Sequence, residues 1–60
     1  MKREELKQRR DALGMTQDDL AIALGVKMLT VSRWERGVYP IPHYIELALE
    51  TIENRKREAA

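Results

Sequence analysis

Gln17–Arg36 reads QDDLAIALGVKMLTVSRWER, and the spacing of its small residue, its glycine and its apolar anchors decides the fold. Leu20, Ala21 and Leu24 fall on one stripe of a helix. Thr16, just before it, is a good N-cap, and Asp18 and Asp19 place negative charge in the first turn, where the helix dipole favours it. Gly25 supplies the positive φ of a tight turn that stops this helix. A second helix restarts within two residues, at about Lys27, and ends near Arg36 and Gly37, where Arg33 and Arg36 suit a C-terminal turn. Ala21 lies where a larger side chain would hold the second helix away from the first, and Val26 and Val31 complete an apolar seam with Leu20 and Leu24. An amphipathic helix hairpin shares parts of this pattern, so no single residue is specific, but the whole spacing is hard to obtain by accident.

Outward from this centre the same signals continue. On the N-terminal side a helix is expected from about Lys2 to Leu13, closed by Gly14. On the C-terminal side Tyr39-Pro40-Ile41-Pro42 forms a stiff corner, because a residue before proline is pushed to extended conformations and Pro42 has the fixed φ of a first helical position. A last helix therefore begins near Pro42 and carries Ile45, Ala48, Leu49 and Ile52 on one face. The pattern thins over Asn54–Ala60, which limits the expected ordered core to about residues 3–54 of a single domain over 1–60. No repeat, linker or low-complexity tract interrupts the chain. The expectation is an all-α fold, a compact bundle of four helices around a central helix-turn-helix.

Sixty residues bury only about 60% of the surface that the unfolded chain exposes, so the margin of stability is small. The chain has no cysteine; neither disulfides nor thiolate zinc sites supplement helix packing. No stretch approaches the roughly 20 apolar residues of a membrane span, and no apolar segment follows the charged N-terminus, so a soluble, untargeted, cytoplasmic protein is expected. The formal net charge is +1, with eight basic and six acidic residues up to Arg36 and three and four from Gly37 onward. That imbalance is too small to identify a partner. An enzyme is not expected: the single histidine, His43, has no cysteine to pair with, and neither a Gly-rich phosphate loop nor a metal-ligand cluster is present. No cofactor or small-molecule ligand is expected.

The stretch LKQRRDALGMTQDDLAIALGV (Leu6–Val26), followed by TVSRWERG (Thr30–Gly37), resembles the lambda-repressor-like family, the Cro-type or xenobiotic-response-element-type helix-turn-helix regulators. The resemblance covers about Leu6 to Leu49. It implies a DNA-binding transcriptional regulator, most simply a repressor of prokaryotic or phage origin, that presents the helix from Lys27 to Arg36 to the major groove of double-stranded DNA. Typical members have five helices, whereas here one helix after Pro42 stands in place of the last two. The fold is thus expected to be shortened at its C-terminus, which puts the family's usual dimer surface in question.

Arg10 lies four residues after Leu6 and three before Leu13, on the apolar side of its helix, and Glu35 lies four after Val31, again on an apolar face. In the resembled family an Arg and a Glu at these places pair inside the domain, which implies an Arg10–Glu35 ion pair. The alternative is that each side chain reaches solvent separately. At 100° per residue Val31, Trp34 and Glu35 define the inner side of the reading helix, so Leu29, Arg33 and Arg36 project outward, flanked by Met28, Thr30 and Ser32. Candidate base contacts are Lys27, Met28, Leu29, Ser32 and Arg33. Arg33 is the best of them, since a guanidinium can bond both O6 and N7 of one guanine, while Met28 and Leu29 can meet a thymine methyl.

The resemblance places Gln17 to bind a phosphate while supporting the reading helix. Thr30, Arg36, His43 and the Lys27 ammonium are further phosphate candidates, and backbone amides at a helix start can take the same role. Arg55-Lys56-Arg57 reads as a solvated tail. A domain of this size touches few base pairs, so specificity calls for a symmetric homodimer on half-sites about one helical turn apart. Tyr44, Leu47 and Thr51 lie beside the core stripe of the last helix and form a candidate dimer patch; the alternative is that Tyr44 and Leu47 widen the core contact. The rival reading of the whole chain is a protein-interaction module, an adaptor or inhibitor on the same fold. Met28 and Leu29 favour the module, whereas Arg33, Arg36 and Gln17 favour DNA.

Overall fold

The helix boundaries follow from local hydrogen bonding. The computed structural model describes residues 1–59, in the order α1 (Arg3–Ala12), α2 (Gln17–Leu24), α3 (Met28–Glu35) and α4 (His43–Ala59), with no strand among the described residues. Before α2, the Thr16 hydroxyl accepts from the Asp19 backbone N–H at 3.0 Å and the Asp19 carboxylate accepts from the Thr16 N–H at 3.0 Å. This reciprocal capping box gives Asp19 a geometric role beyond its charge.

Three helices end in the same way. After α2, Gly25 at φ 73° lets its own N–H reach the Ile22 carbonyl and the Val26 N–H reach that of Ala21, at 3.2 and 2.9 Å. After α3, Gly37 at φ 75° lets its own N–H reach Trp34 and the Val38 N–H reach Arg33, at 3.1 and 2.9 Å. Gly14 and Met15 repeat the pair on Asp11 and Arg10 after α1. Each pair satisfies helix-end carbonyls that would otherwise lack donors, in the Schellman pattern.

Some boundaries differ from the sequence expectation. Lys27 has extended backbone and caps α3 rather than opening it, so the helix starts at Met28, and Arg36 is its C-cap. Pro42 stands just outside α4, its carbonyl accepting from the Ile45 N–H at 3.0 Å. The last helix does not thin at Asn54 but runs through Ala59; Ala60 lies outside the described residues. Its last turns hold together on strong helix formers and on two ties to α1: Glu53 receives Arg9, and the Lys56 ammonium donates to the Leu13 carbonyl at the end of α1.

All four helical segments supply the core. Leu6 and Leu13 come from α1 and its cap, Leu20 and Ala21 from α2, Val31 and Trp34 from α3, and Ile45 and Leu49 from α4. Met1, Met15, Leu24, Val26, Ile41 and Ile52 pack against this cluster. Ala48, expected with it, sits at the edge of the stripe and is half-buried. The radius of gyration, 10.7 Å, matches the value of about 10.4 Å for a compact chain of this length. No helix is long and apolar enough to cross a membrane.

Candidate nucleic-acid interface

Helix α3 owes its orientation to one carboxylate. Val31 and Trp34 turn into the core, which directs Glu35, one residue past Trp34, toward α1. There Arg10 Nε donates to Glu35 Oε2 at 2.7 Å and Arg10 Nη2 to Oε1 at 3.0 Å. Gln17 Nε2 donates to the same Oε1 at 3.1 Å, and Arg10 Nη1 donates to the Met15 carbonyl at 2.9 Å. The Glu35 side chain is only 4% exposed and that of Arg10 10%, and no buried side-chain polar atom among the described residues lacks a partner. A paired geometry of this kind offsets the cost of removing two charges from water.

Burial pushes the Glu35 carboxyl up, but the hydrogen bonds from Arg10 and Gln17 outweigh it and hold the group below its ordinary 4.5. Arg10 moves the other way, raised by its bond to Glu35. The carboxylate thus joins α1, α2 and α3, and it fixes the roll of α3 about its axis. Gln17, a phosphate candidate, sits inside this network and supports α3 through Glu35.

The opposite face of α3 is open. Met28 and Leu29 are 51% and 48% exposed, Arg36 is exposed, and Thr30, Ser32 and Arg33 are half-buried. Lys27 lies exposed at the cap. Lys27, Met28, Leu29, Thr30, Ser32, Arg33 and Arg36 therefore occupy one short helix and its caps, as the helical period dictates. Arg36 Nε leans back on the Ser32 carbonyl at 3.4 Å, and its own carbonyl accepts from Arg3 Nη1 at 3.1 Å. His43 stands apart at the start of α4, its Nδ1 3.7 Å from Glu46 Oε2. On α4, Tyr44 and Leu47 are 65% and 53% exposed rather than widening the core. Thr51 is exposed with them, its hydroxyl donating to the Leu47 carbonyl at 3.2 Å.

The helix-turn-helix family model matches residues 6–49, a span that takes in α1 from Leu6 onward, all of α2 and α3, and the first turns of α4. The chain belongs to the lambda-repressor/Cro-type helix-turn-helix family. This is a family of DNA-binding transcription regulators, and the all-helical fold agrees with it. No curated protein and no solved structure matches the chain.

Two features of the helix-turn-helix domain escape a reading of the sequence. The Arg9 guanidinium gathers three carboxylates: Nε donates to Glu53 at 3.0 Å, while Nη1 lies 3.3 Å from Glu5 and 3.8 Å from Glu46. Glu46 and Glu53 stand seven apart, beside the Ile45–Leu49–Ile52 stripe, and that spacing was the available signal. The second is Tyr39, whose ring lies under Arg33 with the guanidinium carbon 5.8 Å from the ring centroid. Periodicity offers no signal for it, because Tyr39 belongs to no helix.

Proposed function

We propose that this protein is a sequence-specific transcriptional repressor that binds double-stranded DNA as a homodimer and reads the major groove with Lys27–Arg36. One observation carries the reading: the outer face of α3 presents Arg33 with no hydrogen-bond acceptor among the described residues, on a helix whose roll the Arg10–Glu35–Gln17 network fixes. In this reading Arg33 selects a guanine, Lys27 and Ser32 bond neighbouring base edges, and Met28 and Leu29 contact thymine methyls. Gln17, Thr30, Arg36 and His43 bond phosphates and set register. Tyr44, Leu47 and Thr51 mediate the dimer, and their exposure supports that role. The reading assigns no catalysis, cofactor or small-molecule ligand to this single domain. Control comes from concentration in a prokaryotic or phage-infected cytoplasm, or from a partner that masks α3.

The test is selection from a random duplex pool at near-physiological salt, with the parent and with Arg33→Ala. The parent is expected to enrich a palindrome with half-sites about one helical turn apart. Arg33→Ala is expected to lose about 1 to 3 kcal/mol of discrimination at one position of each half-site. A folded parent that enriches nothing sinks the proposal in favour of a protein partner for the Met28–Leu29 face.

A further inference from the structure

We propose that Tyr39 is a specificity-determining positioning residue, which holds the Arg33 guanidinium in its base-reading direction before DNA arrives; this rests on the reading of α3 proposed above. The placement is built from local parts. Gly37 turns the chain back at the end of α3, and the Val38 N–H closes the turn on the carbonyl of Arg33 itself. The chain therefore returns beside Arg33. Pro40 then restricts Tyr39 to an extended backbone, and the phenol ring comes to rest under the guanidinium at 5.8 Å from centroid to Cζ, inside the range of about 6 Å over which a ring face attracts a cation.

The burial pattern along α3 agrees. Arg33 lies at the middle of the outer face, yet it is half-buried while Leu29 and Arg36 on either side are exposed. Tyr39 is itself more than half exposed and is not part of the core cluster, so its ring does little for the fold.

The contact engages the charge of the guanidinium through the ring face, and no N–H of Arg33 is spent on a side-chain hydrogen bond among the described residues; those N–H groups are the donors that a guanine O6 and N7 require. Arginine has much rotamer freedom to lose on binding, and a side chain already held in place loses less of it at the moment of recognition. Tyr39 thereby raises discrimination at the base under Arg33 without touching that base.

The experiment compares the parent with Tyr39→Phe, which keeps the ring face, and Tyr39→Leu, which removes it. In the free protein, NMR reads the ring-current shift of the Arg33 side-chain protons. In the complex, competition between duplexes that differ only at the Arg33-dependent position reads discrimination. Tyr39→Phe is expected to match the parent in both. Tyr39→Leu is expected to lose the shift and about two- to fivefold of discrimination, the worth of a partly exposed cation–π contact, with the salt dependence of binding unchanged because no phosphate contact is lost. Undiminished discrimination in Tyr39→Leu overturns the proposal, as does a loss in Tyr39→Phe as large as that in Tyr39→Leu. A parent that shows the ring-current shift but no preference at any Arg33-dependent base overturns the reading of α3 instead, and it does so before any Tyr39 variant is compared.

Discussion

Glu35 accepts hydrogen bonds from Arg10 and Gln17 in a space where its side chain is 4% exposed, so removing a donor leaves a buried charge without compensation. Arg10→Ala is expected to cost about 3 to 5 kcal/mol, read as a fall in the denaturant midpoint at unchanged slope. In a domain this small that is most of its stability. A midpoint near the parent's refutes the pairing's importance. Arg10 and Glu35 were legible in the sequence because each is a charge at a position where the helical period requires an apolar residue. Arg9 was not: it lies to one side of the buried stripe, where a charge is ordinary. Nor was Tyr39, since its contact depends on how a turn returns the chain.

At the scale of the helices, the boundaries were readable wherever a side chain or a glycine sets them. Thr16 starts α2 and Gly25 ends it, and the two can be compared directly. Thr16→Ala is expected to cost about 1 kcal/mol by removing one half of the capping box. For Gly25→Ala the expectation is about 1 to 2 kcal/mol from left-handed backbone alone, since an added Cβ meets nothing within 4 Å. Each kcal/mol lowers Tm by about 4 to 8 °C in a domain this small, and thermal denaturation of both variants checks the pair. If Gly25→Ala leaves Tm unchanged, the positive φ is not needed for the turn. The end of α4 was less readable. Its apolar stripe stops at Ile52, and what continues it is helix propensity together with the Arg9–Glu53 and Lys56–Leu13 ties, which only the packing of α4 against α1 reveals.

For the whole molecule, the ion-pair network makes stability depend on pH in one direction. The hydrogen bond from Arg9 holds the Glu53 carboxyl below its ordinary 4.5, and Glu35, despite burial, is also lowered. A carboxyl with a depressed folded-state pKa stabilises the fold above its unfolded value and loses that contribution as pH falls through the folded value. The thermal midpoint is therefore expected to be flat from about pH 7 to 5 and to drop below about pH 4.5. Glu53→Gln should remove part of that slope, and an identical acid profile in Glu53→Gln would show that the clamp contributes nothing.

The three reversals that end α1, α2 and α3 are each closed by bonds between residues at most five apart. A chain that turns without distant partners loses little loop-closure entropy before native contacts form, and all-helical domains of this kind fold in about microseconds to milliseconds. Rapid reclosing makes proteolysis follow the fraction of molecules open at any moment rather than the rate of opening. On the proposed function, a DNA site that binds only the closed form lowers that fraction. A regulator governed by its concentration would then live longest when seated on its site, and its cellular half-life would itself report occupancy.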